Sequence, residues 1–86
     1  MKYLIISFKN RNSLMAFNKI LTNRGIATSV INTPRSIAIS CGLSLKTDKR
    51  NLNLIINLVH YANINGFIGI YLYDRTNGYE QIRQIY

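Results

Sequence analysis

The sequence is poor in acidic residues and contains one cysteine, one proline, one histidine and no tryptophan. Three acidic side chains stand against eleven lysines and arginines, and Asp74 and Glu80 are too isolated to form a catalytic carboxylate pair. Cys41 alone can form neither an internal disulfide nor a zinc site, which excludes a disulfide framework. The sequence also has no Gly-rich phosphate loop and no metal-ligand cluster, so we expect no cofactor and no metal.

Long apolar runs are missing as well. No stretch approaches the roughly 18 consecutive apolar residues that a membrane span requires. The apolar segment over residues 1–8 ends at Lys9, too early for a signal peptide. The sequence therefore predicts a cytoplasmic protein with no membrane partner.

The positive charge is abundant but scattered. The net charge is +8, yet the longest basic run is Lys49-Arg50. This balance suits nucleic acid, an anionic membrane surface or an acidic protein partner. A solvated basic surface is the alternative, and the pattern of charges leaves both interpretations open.

The length and the hydrophobic pattern predict one α+β domain over residues 1–86. The predicted strands span residues 2–8, 26–33, 43–47 and 67–73. Two helices alternate with them, the first capped by Asn12 or Ser13 and the second by Thr47 or Asp48. This βαββαβ order predicts a ferredoxin-like sandwich, with two helices on one face of a four-stranded antiparallel sheet. Residues 79–86 are either an extra strand or a tail.

The predicted topology gives Cys41 a distinctive position. The loop between the second and third strands lies at the same edge of the sheet as the start of the first helix. Helix N–H groups and cations stabilise a thiolate, and Arg35 lies in the same loop. Gly42 has no Cβ to obstruct an approaching molecule. The other residues expected at this edge are Lys9, Arg11, Asn12 and Ser13.

A second interpretation of Cys41 is purely structural. Cys41 has the same parity as Leu43 and Leu45, so an early start of the third strand would turn its side chain into the core. A lone cysteine in a small domain commonly behaves as a small buried hydrophobe. Spacing and composition leave the reactive and the structural interpretation open.

One segment carries a family resemblance. It consists of Thr33-Pro34-Arg35, then Ile37, then Ser40-Cys41-Gly42-Leu43-Ser44-Leu45-Lys46. It resembles the signature of a small bacterial family described as selenium/sulfur carrier-like, whose members share a Pro-Arg…Ser-Cys-Gly-Leu segment between two α/β halves. Most of the chain fits the family in layout, but only this segment is specific. Members often have a glutamate after the arginine, where this chain has Ser36, and a more acidic first helix.

The resemblance implies a carrier protein rather than a turnover enzyme. Cys41 would accept a sulfane sulfur or selenium from a donor such as a cysteine desulfurase, hold it as a persulfide or perselenide, and pass it to an acceptor protein. Arg35 would stabilise the resulting anion. His60, late in the second helix, is more simply a partly exposed helix residue than a partner of Cys41.

The predicted sheet has an apolar face without helices. Its residues are Tyr3, Ile5, Phe67, Tyr71 and Tyr73. Such a surface is too apolar to remain exposed without consequence. Residues 79–86 could cover it, two copies could form a homodimer through it, or single-stranded RNA bases could stack on its rings. A basic nucleic-acid-binding module and a non-catalytic interaction or regulatory protein are therefore the alternative functions.

Overall fold

The central strand of the sheet, β1 (Lys2–Phe8), is apolar on both faces. The structure is a computed structural model that describes residues 1–37 and 42–86, and in it the last five residues of β1 are buried. β1 pairs antiparallel with β3 (Leu43–Thr47) on one side and with β4 (Phe67–Thr76) on the other. A strand with this composition is stable only when both of its faces are covered.

Five strands form the sheet within the described residues, in the order β2-β3-β1-β4-β5. β2 (Ser29–Asn32) pairs with β3, and β5 (Tyr79–Gln84) pairs with β4. The hairpin turn between β4 and β5 is Asn77-Gly78, whose φ values of 54° and 81° are positive, as a type I′ turn requires. The α+β prediction is confirmed, and the predicted count of four strands is corrected to five.

Both helices pack on one face of the sheet. α1 (Arg11–Asn23) and α2 (Leu52–Ala62) each present an apolar stripe to it. The buried side chains of this main core are Leu4, Ile6, Phe8, Leu14, Phe17, Leu21, Ile26, Leu45, Ile55, Leu58, Val59 and Ile70. Burial of these side chains is the principal stabilising contribution to the fold.

The first helix begins earlier than predicted. Asn10, not Asn12 or Ser13, is the N-cap, and its side chain accepts a hydrogen bond of 2.8 Å from the backbone N–H of Ser13. The backbone of Asn10 is extended, with φ −143° and ψ 161°, which is the conformation of an N-cap residue. The helix therefore starts at Arg11, and only Lys9 and Asn10 separate it from β1.

The second helix is preceded by a short 3₁₀ helix (Lys49–Asn51). Asp48 caps this element by accepting a hydrogen bond of 2.8 Å from the Arg50 backbone N–H. Thr47 instead donates its hydroxyl to the carbonyl of Ala27. Asp48, one of the two predicted caps, therefore caps the 3₁₀ turn that leads into α2, and the N-cap of α2 itself is Asn51.

A β-bulge places Phe67 on the helix-covered face. The pairing of β1 with β4 shifts between Ser7 and Phe8, so that Ser7 faces Gly69 whereas Phe8 faces Phe67. The Phe67 ring meets the Phe8 ring edge-on at 6.1 Å. The prediction of Phe67 on the helix-free face was wrong, because the extra residue of a bulge reverses the alternation of side chains.

The loop between α2 and β4 docks against the start of α1. The Lys9 N–H donates to the Gly66 carbonyl at 2.7 Å, and the Ser13 hydroxyl donates to the Asn65 carbonyl. A Cβ at position 66 would lie only 2.7 Å from the Ser13 Oγ. The close approach of these two segments therefore depends on a glycine.

We expect Gly66→Ala to destabilise the fold more than Gly25→Ala. Both glycines have a positive φ, 93° and 76°, so either alanine is strained by about 1–2 kcal/mol. Only at Gly66 does the new Cβ also meet a neighbour, since nothing lies within 4 Å at Gly25. In chemical denaturation the Gly66 variant should lose a further ~1–2 kcal/mol of unfolding free energy. Equal losses would contradict the tight docking of this loop.

Candidate functional site

The segment that carries the family resemblance connects β2 to β3. We call residues 33–42 the motif loop. Four of them, residues 38–41, lie outside the described residues, and Cys41 is among these. The exposure and the reactivity of Cys41 stay predictions. The described part of the loop shows how both of its ends are held.

The two ends of the motif loop are joined by hydrogen bonds. The Thr33 N–H donates to the Gly42 carbonyl at 2.9 Å, and the hydroxyls of Thr33 and Ser44 are 2.6 Å apart. Gly42 is exposed and has a φ of 87°, a conformation that residues with a Cβ rarely adopt. The backbone thus reverses at the residue that follows Cys41 in the chain.

The first half of the motif loop is anchored by Ile37. Residues 34–37 form a β-turn in which the Ile37 N–H donates to the Pro34 carbonyl at 3.0 Å. Ile37 is only 5% exposed and packs with Ile5 and Tyr73 on the helix-free face. Arg35 occupies a central position of the turn and is exposed. A buried aliphatic anchor thus fixes the turn that presents the Arg35 guanidinium to solvent.

Two buried serines lie beside the base of this loop. Ser7 on β1 and Ser44 on β3 face each other in register and are fully buried. Ser44 is bonded to Thr33, whereas the Ser7 Oγ has no hydrogen-bond partner among the described residues. A buried hydroxyl without a partner costs about 1–3 kcal/mol. We call Ser7, Thr33 and Ser44 the hydroxyl cluster.

Sequence reasoning missed the hydroxyl cluster. Its only signal is that Ser7 and Ser44 each interrupt an apolar strand, between Ile6 and Phe8 and between Leu43 and Leu45. A single serine is an ordinary residue in a strand, so neither serine alone indicates a cluster. Their meeting depends on the register of β1 against β3, which a single sequence does not specify.

The structure places the predicted supporting residues at the same edge of the sheet as Gly42. Because Ser7 pairs with Ser44, the chain leaves β1 at Lys9 beside the point where it enters β3. Arg11 and Asn12 are exposed there, and Ser13 is half-buried and bonded to Asn65. These residues begin α1 on the helix-covered face, whereas Ile37 lies on the opposite face.

His60 has its own partner. Its Nε2 is hydrogen-bonded to the Tyr86 hydroxyl, and the two rings meet edge-on with centroids 5.6 Å apart. This contact accounts for the histidine as part of the packing between α2 and the chain after β5.

The helix-free face is covered in part by the motif loop itself. Tyr3 and Tyr73 stack on each other at 4.5 Å, and Ile37 lies against Tyr73 and Ile5. The Tyr73 hydroxyl donates to Glu80 at 2.7 Å, and this hydrogen bond raises the pKa of Tyr73. Residues 79–84 extend the sheet instead of folding over this face. Tyr3 and Tyr73 thus contact each other, and the stacking of RNA bases on this face stays a prediction.

Two structural findings concern metals and membranes. In residues 1–37 and 42–86, no three side chains of the His, Cys, Asp and Glu types lie close enough together to hold a metal ion. In the same residues, no helix combines the length and the apolar character needed to cross a membrane.

One comparison with known proteins gives a match. The model of a family described as "Putative Se/S carrier protein-like" matches residues 2–71. This range runs from the start of β1 into β4 and contains the whole motif loop. No curated protein and no solved structure matches the chain with significance. The resemblance noted in the sequence is thereby confirmed at the level of the family.

We expect Ile37→Ala to loosen the motif loop. Removing a buried isoleucine side chain should lower the unfolding free energy by about 2 kcal/mol, and it should speed amide exchange at Thr33 and Ile37, whose N–H groups are bonded within the loop. The control is Val30→Ala, since Val30 is 46% exposed on β2 and should change stability by less than about 0.5 kcal/mol. Unchanged exchange in the Ile37 variant would show that this side chain does not anchor the loop.

Proposed function

The chain belongs to the family described as "Putative Se/S carrier protein-like", and we propose that it carries sulfur or selenium on Cys41. The family match supports the class of function, and the motif loop supports the residue. Cys41 is the only cysteine of the chain, so it is the one side chain that can form a persulfide. The proposed setting is the cytoplasm, with a donor such as a cysteine desulfurase and a separate acceptor protein.

The proposed transfer is a thiol exchange without net oxidation. The Cys41 thiolate attacks the outer sulfur of a donor persulfide, R–S–SH. A new bond forms between the Cys41 Sγ and that sulfur, and the donor S–S bond breaks with its electron pair on the donor thiolate, R–S⁻. Cys41–S–SH then gives up its outer sulfur to an acceptor nucleophile, which regenerates the Cys41 thiolate. Selenium would follow the same steps through Cys41–S–SeH.

The observation that carries this proposal is the way the motif loop is held. Its ends are joined by the bond from Thr33 to Gly42, and its first turn is fixed by the burial of Ile37. A cysteine in a pre-positioned loop reaches a second protein with less ordering cost than one in a free chain. Exposed Gly42 next to Cys41 leaves room for that protein.

The hydroxyl cluster has a role in the same proposal. The Ser7 hydroxyl is a buried donor without a described partner at the base of the loop. A hydrogen bond from it to the Cys41 thiolate or persulfide would satisfy the hydroxyl and favour the charged form of sulfur. Arg35 would add a positive charge at the exposed side of the loop. Lys9, Arg11, Asn12 and Ser13 would contribute to the potential at this edge.

The ferredoxin-like arrangement is part of the same proposal. β3 lies between β1 and β2 in the sheet, which is the placement that a split βαβ unit has. β5 would then be an addition at the far edge. In this arrangement the motif loop is the connection between the two βαβ-type halves.

A mass measurement tests the transfer directly. The protein is incubated with a cysteine desulfurase and free cysteine, and its intact mass is recorded. We expect an adduct with the mass of one sulfur atom that dithiothreitol removes, because a persulfide is reduced by thiols. Cys41→Ser is the control and should acquire no adduct. A wild-type protein that remains unmodified under conditions where the desulfurase itself is loaded would overturn the proposal.

A pH titration tests the part of Ser7. The rate of alkylation by iodoacetamide, measured against pH, gives the pKa of Cys41, which we expect below the value of ~8.5 for a free thiol. Ser7→Ala should raise this pKa by about one unit, since a hydrogen bond to an anion contributes about 1.5–3 kcal/mol. Ser29→Ala, at the far end of the same sheet, should leave it unchanged. The same Cys41 pKa in the wild type, Ser7→Ala and Ser29→Ala would show that Ser7 does not interact with Cys41.

A further inference from the structure

A pocket opens at the end of the sheet that is remote from the motif loop. Its volume is about 350 Å³, and it is lined by residues 1–3, 27–29 and 46–48. These segments are the start of β1, the approach to β2 and the end of β3. A volume near 350 Å³ lies within the range of small-molecule sites, about 300–1,000 Å³.

The pocket contains an ammonium group in a defined position. The Lys46 Nζ lies 4.3 Å from the centre of the Tyr3 ring. Tyr3 is itself held by its stack on Tyr73, with an angle of 19° between the rings. A cation over an aromatic face is attracted by the ring without being neutralised. The Tyr3 ring thus orients the Lys46 ammonium without forming an ion pair with it.

Each of the three acidic side chains has a partner other than Lys46. Asp48 is bound by Arg50 at 3.1 Å, and Asp74 is paired with Lys2 at 3.8 Å. Glu80, the third and last acidic residue, accepts the Tyr73 hydroxyl. Within the described part of the chain, no ion pair therefore joins Lys46 to an acid.

The remaining lining is compatible with an anion. Asp48 contributes a carboxylate, but the Arg50 guanidinium offsets its charge by donating two hydrogen bonds to it, at 3.1 and 3.2 Å. Ser29 is exposed and is the direct cross-strand partner of Lys46. Lys2, whose ammonium is also 3.8 Å from Asp74, adds a second ammonium from β1. Donors thus reach the pocket from three separate segments.

We propose that this pocket binds a small phosphate-bearing molecule, with the Lys46 ammonium as its ion-pair partner and the Ser29 hydroxyl as a second donor. A phosphate group has several oxygens that accept from donors in different directions, and lysine is a common partner for it. A planar carboxylate would use fewer of these donors. The inference does not depend on the chemistry of Cys41, because the two sites lie at opposite ends of β1.

Pyrophosphate is the probe for this site. It is titrated into the ¹⁵N-labelled full chain at constant ionic strength, and the amide shifts of residues 27–29 and 46–48 are followed by NMR. We expect saturable shifts confined to these segments. Lys46→Met should weaken binding at least about ten-fold, as loss of a charge-assisted bond does. Lys49→Met removes the same charge from the neighbouring exposed turn and should bind as the wild type does.

Three further variants separate the ligand contacts from general charge and from packing. Tyr3→Phe keeps the ring under Lys46 and should retain affinity, whereas Tyr3→Leu should weaken it about three-fold, in line with a cation–π contact at a partly exposed site. Because Ser29 is exposed, Ser29→Ala should weaken binding with no change in thermal stability. Wild-type affinity in both the Lys46→Met and Ser29→Ala variants would overturn the proposal.

A parallel titration distinguishes the source of the phosphate. A single-stranded RNA oligonucleotide is added under the same conditions. Saturation with pyrophosphate, with or without RNA binding, supports a site for small phosphate-bearing molecules. Shifts with RNA alone, or shifts that follow ionic strength and spread over the other basic residues, would show a nonspecific polyanion surface instead and would overturn the assignment.

Discussion

The burial of β1 on both faces is the constraint on which the rest of the structure depends. Leu4, Ile6 and Phe8 face the helices, while Tyr3 and Ile5 face the opposite side. The two α-helices cover the first set, and among residues 1–37 and 42–86 no helix covers the other face. The opposite face therefore needs a cover from elsewhere in the chain. The motif loop supplies part of it, which couples the position of a candidate reactive segment to the stability of the core.

This coupling gives the motif loop a structural reason for its shape. Ile37 belongs to the hydrophobic packing of the helix-free face, and Thr33 and Gly42 close the base of the loop. These contacts at the described ends of the loop would be lost if the ends moved away from the sheet. The proposed anion pocket lies at the other end of the seven-residue β1, roughly 20 Å away at the rise of a strand. Changes at one end should therefore leave the other intact.

Much of the fold could be predicted because its strongest signals are local. The alternation in β1 and the turn residues Asn77-Gly78 depend on neighbours in the chain, and both gave correct elements. Phe67 was misplaced because a bulge adds a residue that periodicity does not reveal. Asn10 was missed because several adjacent residues are competent N-caps, and only the backbone conformation selects one. Boundaries of this kind are decided by tertiary contacts.

The candidate site likewise has one part that the sequence predicts and another that only the fold brings together. Cys41 and Arg35 stand out in the sequence because the motif is contiguous, whereas Ser7 and Ser44 come together only through the pairing of β1 with β3. The pocket around Lys46 likewise combines three segments that are distant in the chain. Such sites are set by register and by strand order, which the composition of any one segment does not encode.

β5 has a consequence for how copies of this protein behave toward one another. The family match ends at residue 71, before this strand, which adds Glu80, Gln81, Arg83 and Gln84 along the border of the sheet. Without it, the longer and more apolar β4 would offer its unpaired backbone groups to any extended chain nearby. Charged and amide side chains on a bordering strand discourage intermolecular strand addition. The β4–β5 hairpin thus reduces the tendency to aggregate of a chain whose central strands are rich in isoleucine, leucine and tyrosine.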